Sequence, residues 1–173
     1  MNDKILVTYA SRAGSTAGVA EAIGKTLVEG GEQVEVLPMK EVKDLTPYRA
    51  VVAGSAIRGA KWLPDAMQFM QAQQTALSQK PFAAFMVCIT LAMPGADKYR
   101  EGLKDWLEPV RRLVRPVSEG YFAGALDFSK LPFDYGSLRM RMAAAFGIFP
   151  KGDHRDWNAI RAWAESIRPL LSR

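Results

Sequence analysis

Apolar residues along the chain follow two rhythms, one a short unbroken run and the other a recurrence every three or four positions. The runs at 4–9, 50–54 and 82–89 are nearly continuous, as expected of strands covered on both faces of a parallel sheet. Lys4-Ile5-Leu6-Val7-Thr8-Tyr9 reads as the central strand. Over 16–29, Val19, Ala20, Ile23 and Leu27 recur at helical spacing, Glu21 and Lys25 stand one turn apart as an exposed pair, and Gly30-Gly31 closes the helix. Residues 33–37 alternate polar and apolar, the pattern of a half-exposed edge strand.

Further along, Pro64 suits the first turn of a helix reaching about 77, with Met67, Met70 and Leu77 as core filling. A helical pattern over 99–114 carries Leu103, Trp106, Leu107, Val110 and Leu113, and Pro109 inside it predicts a kink or a new first turn. Residues 121–126 read as a fifth strand. The last helix is expected after Asp153 as N-cap, with Trp157, Ile160, Ala164 and Ile167 on one stripe. This alternation predicts a doubly wound α/β sheet in one domain over 1–173. Residues 129–152 are too long for an ordinary connection and read as an inserted segment.

Three segments following predicted strands, 11–16, 55–62 and 90–97, are rich in Gly, hydroxyls or Pro. Ligands of open parallel sheets bind outside the carboxyl ends of strands, so these loops would converge on one crevice. Ser11-Arg12-Ala13-Gly14-Ser15-Thr16 combines three hydroxyls, a glycine and a helix start, the parts of a phosphate cradle. Taken alone, it fits a hydroxyl-capped βα turn equally well. It lacks G-x-G-x-x-G and G-K-[ST], which counts against a dinucleotide and a triphosphate. A single phosphate plus two loops flanking a flat ring fits flavin mononucleotide, FMN.

Composition narrows the partners. A chain of 173 residues with 49% apolar and 24% charged residues is ordinary globular protein. The net charge of +5 favours an anionic ligand or surface, yet no basic helix, zinc-finger spacing or ribonucleoprotein signature points to nucleic acid. Cys88, the single cysteine, sits in an apolar run and reads as a buried, inert thiol in a reducing compartment. With no secretory leader or membrane span in the pattern, a cytoplasmic location is expected. His154 has no ligand set around it in sequence, so no metal site is expected.

The chain resembles the flavodoxin-like proteins at Tyr9, Ser11, Gly14, Thr16 and Ala20, and departs from them at Thr8 and Ala22, where an apolar residue is usual. Gly54-Ser55-Ala56-Ile57-Arg58-Gly59 and the tail Gly152-Asp153-His154-Arg155-Asp156-Trp157 are most similar to the menaquinone-dependent protoporphyrinogen IX dehydrogenase branch. The resemblance implies a five-stranded parallel sheet with helices on both faces and noncovalent FMN. Ser11, Arg12, Ala13, Gly14, Ser15 and Thr16 would hold the phosphate. Ser55, Ala56, Ile57, Arg58 and Gly59 would line one side of the ring, and Thr90, Leu91 and Ala92 the other. Arg12 is a departure, either bonded to the phosphate or pointing into water. Tyr99 is the nearest counterpart of a ring-stacking tyrosine. Trp62 either stacks on the ring or packs on the sheet.

The ring, rather than any side chain, would carry the redox step. The basic charge and Arg58 predict a flavin less strongly reducing than in the acidic carriers of the family. The expected function is an FMN-dependent oxidoreductase passing electrons from a bulky organic reductant, protoporphyrinogen IX being one candidate, to a quinone. The alternative is a flavodoxin-type carrier with no substrate of its own. The inserted segment mixes Leu131, Phe133, Tyr135, Leu138, Met140, Met142, Phe146, Ile148 and Phe149 with Lys130, Arg139, Arg141 and Lys151, against one acid, Asp134. It reads as inserted core or as a flap at the flavin mouth facing a hydrophobic substrate or an anionic membrane surface.

Overall fold

A computed structural model describes residues 3–130, 133, 135–148 and 150–172. Leu131, Asp134 and Phe149 of the inserted segment lie outside the described residues. In chain order the elements are β1 (Lys4–Ala10), α1 (Ser15–Glu29), β2 (Gln33–Pro38), β3 (Tyr48–Arg58), β4 (Lys61–Trp62), α2 (Pro64–Ala72), α3 (Gln74–Leu77) and β5 (Phe82–Cys88). They continue as α4 (Arg100–Lys104), α5 (Glu108–Leu113), β6 (Ser118–Ala123), β7 (Ala125–Leu126), α6 (Tyr135–Ala145), β8 (Gly152–Asp153) and α7 (Trp157–Ile167).

Five parallel strands run in the order β2-β1-β3-β5-β6, and β4 pairs antiparallel with β3. The doubly wound α/β architecture expected from the alternation is therefore present. β2 is the edge strand its pattern predicts. β1 is internal rather than central, because β3 occupies the middle of the sheet.

Successive residues of the buried strands point to opposite faces, and each face has its own core. Leu6, Val51, Ala53, Phe82, Ala84 and Met86 join Met70, Leu77, Leu103, Leu107 and Val110 on one side. Ile5, Val7, Ala50, Val52, Ala83 and Phe85 join Val19, Ile23, Leu27, Ile160, Ala164 and Ile167 on the other. That second face holds an aromatic group in which Phe122 and Trp163 lie 5.6 Å apart, with Phe85 6.2 Å from Trp163. A Cβ at Gly54 would overlap the Phe85 ring, so a glycine there lets the ring cross the sheet's middle strand.

Several boundaries differ from the sequence expectation. The predicted loop 55–62 begins as strand: β3 continues to Arg58, turns through Gly59 and Ala60, and pairs back through Lys61 and Trp62. The helix over 64–77 divides into α2 and α3, and that over 99–114 divides into α4, a 3-10 turn and α5, with Pro109 in the first turn of α5 as one of its two expected roles requires. The fifth strand begins earlier, at Ser118, and ends at Ala123; Ala125–Leu126 leaves the sheet to pair with Gly152–Asp153. Asp156, rather than Asp153, caps α7 by accepting the Ala159 N–H at 3.0 Å. The exposed pair on α1 is Lys25 with Glu29, 3.9 Å apart, not Lys25 with Glu21. Gly30-Gly31 does end α1: the Glu32 N–H reaches the Leu27 carbonyl and the Gly31 N–H that of Val28, with Gly31 at φ 94°.

Candidate functional site

The pairing register fixes which loops meet. Ala10 stands opposite Ser55, Ser55 opposite Met86, and Cys88 opposite Ala123, so the carboxyl ends of β1, β3, β5 and β6 lie on one side of the sheet within three residues of one another. The chain turns from β1 toward β2 on one side and crosses to β3 on the other, placing the order reversal between β1 and β3. Loops leaving the carboxyl ends of those two strands therefore flank the crevice of a doubly wound sheet.

The first of them, residues 11–14, is shaped by Gly14, whose φ of 87° is the left-handed conformation that disfavours a side chain. A Cβ at Gly14 would meet nothing within 4 Å, so the space above this turn is open. Ser11 Oγ accepts the Gly14 N–H at 3.0 Å, which leaves the Ser11 hydroxyl proton available to a ligand. No side chain caps the first turn of α1, so the N–H groups at its start are offered to an anion. The Thr16 hydroxyl is buried among them with no hydrogen-bond partner. An orphaned buried hydroxyl is costly, and an oxyanion seated on this turn would satisfy it. These features fit a phosphate. Arg12 is exposed, while Ala13 and Ser15 are half-buried.

The second wall is the β3–β4 hairpin. β3 runs three residues past the level of Ala10, and both turn residues have positive φ, 58° at Gly59 and 61° at Ala60. Positive φ at both positions is the geometry of the two-residue turn that matches strand twist. Arg58, Gly59, Ala60 and Lys61 are exposed at the tip, while Ala56 and Ile57 are half-buried at its base. Two expected ring contacts are turned inward instead. Ser55 is fully buried, and its hydroxyl accepts the Leu63 N–H at 3.0 Å and donates to the Ala56 carbonyl, tying the hairpin to the start of α2. Trp62 is only 3% exposed, packed in the core under the hairpin, which leaves no open face for stacking.

Thr90, Leu91 and Ala92 form a half-exposed 3-10 turn directly after β5. Tyr99, at the start of α4, is 58% exposed. Cys88 is buried beneath this turn, and burial pushes its thiol up, in keeping with an inert role.

A fourth component escapes a sequence reading. The β7–β8 ribbon brings residues 152–156 across the beginning of α1: the His154 N–H donates to the Gly124 carbonyl, and the Gly124 N–H to that of Cys88, both at 3.2 Å. Arg155 Nη1 then donates to the Ser15 carbonyl at 3.3 Å. The contact spans 140 positions and joins the connection after β8 to the start of α1, and nothing in local periodicity signals it. His154 is exposed, with Nε2 at 2.8 Å from the Lys151 carbonyl. Among the described residues no three His, Cys, Asp or Glu side chains group as metal ligands.

Fold and site together define a doubly wound protein whose switch-point loop has the features that fit a phosphate. The flavodoxin domain family matches residues 6–142, and the chain belongs to that family. FMN is the cofactor this membership assigns to it. No curated protein matches the chain. Among solved structures, a flavodoxin from the domain Archaea aligns with 20% identity and a TM-score of 0.56 over 98% of this chain and 99% of that one. A short-chain flavodoxin associated with a non-canonical PDU bacterial microcompartment gives 12% identity and a TM-score of 0.61 over 98% and 96%. The rubredoxin oxygen:oxidoreductase of Desulfovibrio gigas gives 16% and 0.55, covering 98% of this chain but 36% of that one. These likenesses establish the fold.

Proposed function

We propose that the protein is an FMN-dependent oxidoreductase that moves electrons from a bulky, largely apolar organic reductant to a quinone. In this reading the N–H groups and hydroxyls of 11–16 hold the phosphate. Ala56, Ile57, Arg58 and Gly59 flank the ring on one side and Thr90, Leu91 and Ala92 on the other. Bound FMN supplies the electron-accepting and electron-donating chemistry; the protein positions it, limits water, and sets the charge around it through Arg58 and Lys61.

The observation that carries the choice of substrate is the apolar surface after β7. Leu138, Met142 and Phe146 form an exposed stripe at 43%, 57% and 80%, joined by Phe133 at 84% and Ile148 at 54%. Exposed apolar area of this kind is a recognition surface for an apolar partner. The exposed Arg139 lies beside it, and the Arg141 guanidinium lies 5.4 Å over the Phe133 ring. A tetrapyrrole with acidic side groups, such as protoporphyrinogen IX, suits that mixture, as does a quinone.

The proposal extends to contact with a membrane surface. The polar and apolar residues of α6 do not segregate cleanly to opposite faces, since Arg139 borders the exposed stripe and Met140 lies across the helix from it. No described helix is long and apolar enough to cross a membrane. A peripheral position at the cytoplasmic face of an anionic membrane is compatible with the net charge of +5. Liposome flotation at low and high salt, with Arg139→Ala beside wild type, tests it. Salt-sensitive flotation that weakens in the variant supports contact, and equal flotation removes it.

The second reading is a carrier that exchanges electrons only with proteins, favoured by the full-length likeness to flavodoxins. Anaerobic turnover separates the two. The purified protein is expected to show a flavin spectrum and to oxidise protoporphyrinogen with menaquinone as acceptor. A flavin spectrum without turnover of this pair, together with rapid exchange with a protein reductase, favours the carrier. A protein that neither carries nor takes up FMN overturns both.

A further inference from the structure

Arg155 occupies an unusual place. Its Nε and Nη2 clamp the Asp153 carboxylate at 2.8 and 2.6 Å, its guanidinium lies 4.5 Å over the Trp157 ring, and its Nη1 reaches the Ser15 carbonyl in the first turn of α1. The side chain is 17% exposed. Asp153 is held down to about 2 by its bonds to Arg155, against a burial effect that opposes them, so the pair stays ionised through the physiological range.

Two further observations show that the chain is built around this placement. A Cβ at Gly18 would stand 2.5 Å from Arg155 Nη1 and 3.7 Å from the Trp157 ring, so the guanidinium occupies space that a side chain at residue 18 would contest. Glycine there costs helix propensity. A cation beside a helix N-terminus is also at the unfavourable end of the macrodipole. Asp153 offsets part of that, and an anion bound to the same turn would offset more. A local rule broken twice at one point marks a site shaped by function rather than by folding alone.

We infer that Arg155 is a positioning residue for the phosphate end of the cofactor: seated on Gly18 and braced by Asp153 and Trp157, it fixes the first turn of α1 so that its N–H groups converge on a phosphate monoester. The inference rests on the FMN reading of residues 11–16 and adds a role for the tail. It makes selection of FMN over the phosphate-free flavin depend on residues 153–157, which do not belong to the phosphate loop.

The test compares dissociation constants for FMN and riboflavin, by flavin fluorescence quenching, in the apoprotein and two variants, with urea unfolding of each apoprotein alongside. Arg155→Gln is expected to weaken FMN about tenfold while leaving riboflavin unchanged, the loss expected for one misplaced charge-assisted contact. Gly18→Ala displaces the guanidinium while improving helix propensity, so it is expected to leave the apoprotein at least as stable and still weaken FMN about tenfold. A purely structural role would move both ligands in proportion to stability. Equal weakening of FMN and riboflavin in Arg155→Gln, or wild-type FMN affinity in Gly18→Ala, overturns the inference. Wild-type protein that binds riboflavin as tightly as FMN, or neither, overturns instead the reading of 11–16 on which it rests.

Discussion

Two helices of this protein carry apolar stripes at helical spacing and do opposite things with them. On α7, Ile160, Ala164 and Ile167 are completely buried against the sheet and α1. Along α6 and just past its end, Leu138, Met142 and Phe146 recur one turn apart and are exposed at 43%, 57% and 80%, while Ala144 on the opposite side is buried at 6%. Periodicity thus locates a stripe without saying what covers it. The α7 stripe is part of what holds the fold together, and the α6 stripe is surface for something else to meet.

Substitutions on the two helices and the elements beside them put that contrast to the test. The largest effect is expected for Ile160→Ala, which removes a fully buried side chain and should cost about 3 kcal/mol in urea unfolding. A loss near zero would mean that the stripe is not the core it appears in the packing. Asp156→Ala removes the side-chain acceptor for the Ala159 N–H and should cost about 1 kcal/mol; stability unchanged within error would show that the cap at Asp156 does not anchor α7.

A smaller and pH-dependent effect belongs to β6, the edge strand that leads from the core toward the insertion. The Arg111 guanidinium holds the Glu119 carboxyl below its usual range, with burial opposing and the Tyr121 hydroxyl assisting. Because the folded state lowers this pKa, the stabilisation is fully present above the unfolded value near about 4 and is lost as pH falls through the lower folded value. Glu119→Gln should therefore be less stable than wild type by up to about 1 kcal/mol at pH 7, with the gap closing at acid pH. A gap that stays constant with pH would dissociate Glu119 from that titration. The smallest stability effect, under about 0.5 kcal/mol, is expected for Met142→Ala on the exposed stripe. A cost comparable to that of Ile160→Ala would erase the distinction between the two helices.

Much of the fold was legible in the pattern because strands buried on both faces must be nearly all apolar and helices against a sheet must repeat at three and four. The loop at 11–14 was legible too, since a left-handed Gly14 and a helix start are local features. The hairpin was not: Ser55 to Arg58 read as loop, but their backbones extend because β5 continues to pair as far as Ala56 and Lys61 and Trp62 return along the strand. Ala60 at positive φ carries no sequence signal at all. Ser55 and Trp62 have the chemistry of ligand contacts, and packing turned them inward. The cap was expected at Asp153, but that carboxylate is engaged by Arg155, and Asp156, directly before α7, accepts the Ala159 N–H instead.

The pairing of α1 with α7 has a mechanical side. Arg155, just before α7, grips the Ser15 carbonyl at one end of α1, and Arg168, just after it, donates to the Gly30 carbonyl at 2.8 Å at the other. α1 is thus pinned like a beam on two supports, about 22 Å apart for its 15 residues. It cannot slide along its axis or tilt without releasing one of them. Residues 11–14, which join β1 to this pinned helix, are the nearest stretch of backbone without such a support.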